Sequence, residues 1–274
     1  MSKPRSKPSA QSSDSATSRA TDADTVYSSD STSQDALNSI NATVDLSQID
    51  PSTVASVFRE YERKHEDDEP TTVQVTGFPS LDHLLMRTTA DVRLLINQSI
   101  GDFAFAYSRT TEFRVHGDAG NALAEALAGG AVRIRGNAGD AVGVSMQSGT
   151  VAVYGNAKDR CGALMAGGEL FVRGNVGDAC GLGMVGGTMV IGGNAGKDLG
   201  AGMVSGTIFV RGDVESLGSD VVESPVRSRD QLRLGLLLVN ASIRGDASDF
   251  RRITHCSILE KEKATRGEIN PKWR

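Results

Sequence analysis

Residues 174–193 read GNVGDACGLGMVGGTMVIGG, with six glycines in the first fourteen positions and a short apolar run after them. Glycine loses more conformational freedom on folding than any other residue, so such a cluster needs a structural cause. The cause is a period. Gly117, Gly136, Gly155, Gly174, Gly193 and Gly212 each stand 19 residues from the next. A fixed period of this size marks a stacked repeat. Gln98 lies 19 before Gly117 and opens an earlier, degenerate copy, Gln98-Ser99-Ile100-Gly101-Asp102. All but four of the 31 glycines (Gly77, Gly235, Gly245 and Gly267) lie between 98 and 220.

With the first glycine as position one, position two is Asp or Asn (Asp118, Asn137, Asn156, Asn175, Asn194, Asp213) and position three is Ala or Val. Glycine returns at positions four, eight and fourteen in most copies. Position eleven is Leu127, then Met146, Met165, Met184 and Met203. Positions sixteen and eighteen are apolar throughout, as in Leu170/Val172 and Met189/Ile191. That alternation predicts a strand with one buried face, and nothing in the copy has a helical period. One copy, ~60 Å of extended chain, is too short to enclose a core. It fits one turn of a coil in which like positions stack ~4.8 Å apart through parallel ladder bonds. The expected fold is all-β: a right-handed parallel β-helix of six to seven 19-residue turns. A left-handed hexapeptide coil would place an aliphatic residue at every sixth position, which does not occur here. The corner glycines, Gly117 to Gly212 in steps of 19, are expected where the backbone needs positive φ or close approach to a neighbouring turn. Asn and Asp at position two suit those corners by tolerating left-handed backbone and bonding their own amides.

With the repeat included, the chain divides into four parts. Residues 1–40, rich in Ser, Thr, Asp and Ala, are expected to form a disordered tail. Residues 41–97 should hold a helix over 50–65, with Asp50 as N-cap and Val54, Val57, Phe58 and Tyr61 on one face, followed by capping strands at 72–77 and 91–96. The coil takes 98–225. In 226–274, Ser228 can cap a helix over Gln231–Val239, and the chain from about 250 reads as charged and irregular. Both ends of the coil need covering, since open strand edges invite aggregation. The region 72–97 is expected to cover one end, and Val221–Val239 or a partner the other.

A net charge of −5 argues against a nucleic-acid partner or an anionic membrane surface. No apolar run reaches the ~20 residues of a membrane span. Lys3, Arg5 and Lys7 are followed by no apolar stretch, so no secretory signal is visible. Three cysteines suit a reducing compartment, and a cytoplasmic location is expected.

The pattern G-[DN]-[AV]-G-[DN]-x-x-G-x-x-M-x-x-G resembles the GXGXG domain over about 72–225. That family includes the C-terminal β-helix of the glutamate synthase large subunit, free-standing glutamate-synthase-like subunits, and the C subunit of formylmethanofuran dehydrogenase. Val210–Asp220 (VRGDVESLGSD), Gly155–Gly162 (GNAKDRCG) and Val44–Ser47 (VDLS) are similar to stretches of the free-standing subunit of N-methylglutamate synthase. The resemblance implies a scaffold without chemistry of its own. It would lie between a glutaminase-type amidotransferase subunit and an FMN-binding glutamate-synthase-like subunit, with FMN and an Fe–S cluster in those partners and no cofactor in this chain. The related one-carbon assembly, a formylmethanofuran dehydrogenase or formyltransferase/hydrolase complex, is the alternative. A polysaccharide-acting β-helix is a third.

No catalytic, cofactor or metal residue is expected from the motifs. Cys161 and Cys180 share position seven with Leu123, Val142 and Leu199, an inward apolar column, although adjacent turns would allow a disulfide. Asp140, Asp159 and Asp178 stack at position five, either as a solvated corner bonded to local amides or as an ion site. The methionine column reads as core. His65, His83, His116 and His255 are dispersed. Position seventeen faces outward and carries Phe171, Val190 and Phe209, which should be covered by a partner or by the chain's own Leu232–Leu238 helix. Position nineteen adds Arg135, Tyr154, Arg173 and Arg211, a basic row open to an acidic partner.

Overall fold

The structure is a computed structural model that describes residues 40–50, 53–62, 68–78, 81–241 and 245–265. Its centre is a parallel β-solenoid of about seven turns. Nine strands pair in parallel and in chain order: β1 (Ala42–Asp45), β2 (Thr72–Thr76), β3 (Arg93–Ile96), β4 (Glu112–Val115), β5 (Ala128–Ile134), β6 (Ser148–Val153), β7 (Glu169–Val172), β8 (Thr188–Ile191) and β9 (Thr207–Val210). From β5 onward the register follows the period, with Val132, Val151, Leu170, Met189 and Ile208 as successive partners. A bulge in β5 absorbs one extra residue between Ala128 and Ala131. The disordered-tail reading of 1–40 falls on residues outside those described, apart from Ile40.

A second side of each turn is drawn together at position three, where Ala119, Ala138 and Ala157 bridge in parallel, as do Val176, Ala195 and Val214. The third side has positive φ at positions six, eight and ten: Ala141, Gly143 and Ser145 in one turn, Arg160, Gly162 and Leu164 in the next. Non-glycine residues lose roughly 1–2 kcal/mol each there. The compensation is a backbone ladder in which alternate residues reach opposite neighbours. Ala141 N–H donates to Asp159 O of the next turn, and Gly143 N–H to Leu123 O of the preceding one. Positions seven, eleven, sixteen and eighteen point inward from the three sides and form one continuous buried core.

The coil begins earlier than position 98. β2 and β3 are rungs of the same ladder, and β1, with Val44 inward, forms its outer edge. Among the described residues of the 50–65 span, the helix is one α-turn, α1 (Val54–Val57), continued by a 3-10 turn to Tyr61, with Thr53 rather than Asp50 as N-cap. Two β-branched valines make a poor helix. Fully buried Phe58 pins the segment over the end of the core.

At the other end the irregular reading beyond 250 is corrected. Arg251–His255 forms β11, which inserts antiparallel between β9 and β10 (Val221–Ser224). Its sequence, RRITH, hides the strand because the buried face includes an arginine. Arg252 is 4% exposed and is held at 2.9 Å by Glu262 of α3 (Cys256–Thr265). The helix α2 (Ser228–Asn240) starts three residues before the expected span, with Arg227 as N-cap.

Candidate functional site

The polar columns come first, because in a coil they are where chemistry could gather. The Oδ1 atom of each position-two residue accepts a hydrogen bond from the backbone N–H of its counterpart one turn later. Asp118 accepts from Asn137 at 2.7 Å, Asn137 from Asn156, Asn156 from Asn175 and Asn175 from Asn194 at 2.8 Å, and Asn194 from Asp213 at 2.9 Å. Position five makes a second ladder through Asp102, Asn121, Asp140, Asp159 and Asp178 to Lys197 N–H. The expectation that these side chains bond their own backbone is thus corrected: each bonds the next turn. The reason lies in the residue before. A Cβ on Gly155 would stand 2.5 Å from Asn137 Oδ1, and one on Gly139 or Gly177 would overlap the position-five oxygen of the preceding turn. The glycines at positions one and four vacate the space that the ladder oxygens fill. Where Lys158 replaces glycine at position four, the adjacent bond, Asp159 N–H to Asp140 Oδ1, is the longest of its ladder at 3.1 Å. The corner glycines therefore work by close approach, while those at eight and fourteen carry positive φ.

Asp140, Asp159 and Asp178 thus each spend one carboxylate oxygen on an amide of the next turn. Among the described residues, no group of three or more His, Cys, Asp or Glu side chains is placed to hold a metal ion. Cys161 and Cys180 are buried free thiols. Burial raises both, Cys180 to about 12, so both stay protonated at neutral pH. Two sealed thiols and a distant Cys256 do not fit the four-thiolate donor set of an Fe–S cluster.

The outer face of the sheet has a gradient. One column runs Leu95, Arg114, Arg133, Ala152, Phe171, Val190, Phe209 across β3 to β9. Its apolar half is covered by the chain itself: Leu234, Leu237, Leu238 and Ala241, with Phe250, pack on Ala152, Phe171, Val190 and Phe209. The three aromatic and aliphatic candidates are thus core residues in this chain and offer no free surface. Of the position-nineteen row, Tyr154 packs against this same cluster. Arg211 donates from Nε to Gly192 O at 2.8 Å and lies 5.8 Å from the Phe250 ring centre. Arg135 and Arg173 are exposed.

The other half of the column holds buried Leu95 and the half-buried Arg114 and Arg133. Arg93, Arg114 and Arg133 converge on Glu112, with Arg93 Nε at 2.8 Å and Arg114 Nη2 at 2.9 Å. Burial pushes the Glu112 carboxyl up, but the Arg114, Arg93 and Arg133 guanidiniums overcome it and hold the group below the ordinary glutamate value. His116 is shifted down by burial and by Arg135 and Arg114. His83 stacks on Phe103, His255 Nδ1 lies 2.8 Å from Ser257 Oγ, and His65 is outside the described residues.

Two features were invisible in the sequence. One is a shallow, open depression lined by Thr188, Ser205, Thr207, Arg233 and Ile258, where Arg233 Nη2 reaches Thr188 Oγ1 at 3.1 Å. The other is the exposed outer side of α2, where Leu232, Leu236 and Val239 face solvent. No described helix is long and apolar enough to cross a membrane.

A comparison with curated proteins finds no match to the chain. A family model, the GXGXG motif, matches residues 88–233, more than half of the sequence and the whole of the 98–225 repeat. The chain belongs to the GXGXG motif family.

Proposed function

We propose that the chain is a non-catalytic scaffold subunit of a glutamate-synthase-like amidotransferase, of the N-methylglutamate synthase type. It joins a glutaminase-type subunit that releases ammonia to an FMN-binding subunit that consumes it. FMN and any Fe–S cluster belong to the partners. The assembly is cytoplasmic. The observation that carries the reading is the engagement of both polar columns in turn-to-turn bonds. The carboxylates that a β-helix enzyme would use for acid–base or calcium chemistry here hold the backbone together, which leaves the outer faces as the functional surface. The GXGXG match supports the same reading.

The test is affinity purification of the full chain from its own cells with identification of the bound subunits. A glutaminase-like and a flavin-containing polypeptide are expected together. A molybdopterin- or amidohydrolase-like partner would replace this reading with the one-carbon complex, and a monomer without either set would overturn it.

A further inference from the structure

The positive-φ side of the coil carries an uncovered apolar area. Leu164, Leu182, Val185 and Val204 are 56, 38, 51 and 62% exposed, and all four lie in the three turns that begin at Gly155, Gly174 and Gly193. They adjoin one another. Leu164 N–H donates to Leu182 O at 2.7 Å between neighbouring turns, and Val185 and Val204 hold position twelve in successive turns. Single exposed leucines are ordinary, but four large side chains side by side form a patch of the kind used for contact.

Charge and size along the columns identify the occupant as a second copy. Position six reads Arg160, Ala179, Asp198: an exposed cation and an exposed anion two rungs apart, ~9.6 Å, with a small residue between. Among the described residues neither has an ion-pair partner. Position ten reads Leu164, Gly183, Gly202 and position twelve Ala166, Val185, Val204, so each column is large at one end and small at the other. A Cβ on Gly202 would have nothing nearer than 3.9 Å, so the space above it is open. A second coil laid face to face and antiparallel, with the two-fold axis along the Gly174 turn, brings each Gly155 turn against the other copy's Gly193 turn. Arg160 then meets Asp198, Leu164 enters the space over Gly202, and Val204 meets Ala166, each twice. Leu182 and Val185 meet their own counterparts on the axis. At position five, Asp159 meets Lys197, which also pairs with Glu215 of its own chain at 3.3 Å. Asp178 falls on the axis against its counterpart, with a Lys197 one rung away on either side, and Lys158 lands one rung from Glu215 of the other copy. A parallel two-fold pair would instead set Asp198 against Val204 and bury a charge without a partner.

We propose that the positive-φ face of these three turns is a homodimer interface, in which two copies pack face to face and antiparallel about the Gly174 turn. Burial of the four apolar side chains from each copy supplies affinity, and the two Arg160–Asp198 pairs fix the register. The interface lies on a different side of the coil from α2 and the outer face of the sheet, and it is independent of the scaffold reading.

The test is the mass of the purified full chain in solution, by sedimentation velocity across the micromolar range. The wild type should be a dimer. Arg160→Asp and Asp198→Arg should each raise the dimer dissociation constant by about 10-fold or more, since each sets two like-charge pairs face to face. The double variant Arg160→Asp/Asp198→Arg should return to within about threefold of wild type. Mixing the two single variants should give a heterodimer, because both pairs are then opposite in charge again. The backbone φ is 57° at Arg160 and 56° at Asp198, so each position already accommodates what the other carries, and the variants should keep the wild-type circular dichroism spectrum. Leu182→Asp, which sets two carboxylates together on the axis, should be monomeric. A wild type that stays monomeric overturns the proposal. So does a dimer that Arg160→Asp and Leu182→Asp leave intact, and so do folded single variants that fail to associate on mixing.

Discussion

Gly155 has no positive φ, yet it cannot be replaced. A methyl group there would lie 2.5 Å from Asn137 Oδ1 and 2.6 Å from Gly136 O, and neither can retreat without breaking a rung. Gly155→Ala should therefore destabilise the fold by about 2 kcal/mol or more in chemical denaturation. Gly235, in the middle of α2, has nothing within 4 Å of its missing Cβ. Gly235→Ala should stabilise by about 0.5–1 kcal/mol. Two glycines thus respond with opposite sign, and only one belongs to the period. Glu112 gives a pH signature. Its carboxyl is held below the ordinary value in the folded state, so its contribution is fully present above the unfolded-state pKa and disappears as pH falls through the folded one. Glu112→Gln should be less stable than wild type at pH 7, and the gap should close as the medium is acidified through the carboxylate range. The sequence displays the Gly–Asx columns plainly. It does not show which amide each oxygen meets, because that depends on the neighbouring turn. Nor does it reveal positive φ at Arg160, Leu164 or Asp198, where no glycine marks it.

At the scale of elements, strands with alternating apolar residues were legible and elements held by charge were not. β6 to β9 follow from positions sixteen and eighteen, and α2 from its leucines. β11 does not, because Ile253 is its only large aliphatic residue and its other buried residues are polar, Arg252 paired with Glu262 and Thr254. Glu262 is pushed up by burial and brought below its usual range by Arg252 and Arg227. The strand is nevertheless what continues β9 and carries β10. Ile253→Asp places an unpaired carboxylate in a fully buried site and should cost about 3 kcal/mol or more. With β9 left open, amide protons in β9 and β10 should exchange much faster than those in β5 to β7, as read by hydrogen exchange. Uniform loss of protection along the whole coil would show instead that the end is not a separate unit.

At the scale of the whole coil, the interior is apolar and the polar ladders tie turn to turn. Its distinctive surfaces lie on the outside: the arginine cluster around Glu112, the exposed Leu232, Leu236 and Val239 of α2, and, on the positive-φ side, the exposed Leu164, Leu182, Val185 and Val204. The repeat made the coil readable, because 19 residues per turn is a property of spacing alone. The solvent-facing side of α2 was not readable, since a helix with apolar residues on both sides does not say which side the sheet will take. The most direct test of the scaffold account is reconstitution with and without this chain. With the glutaminase-type and FMN-binding subunits both present, glutamine-driven turnover should require the chain, while turnover driven by added ammonia should survive its omission. Glutamine-driven turnover that proceeds equally well without the chain would contradict the account.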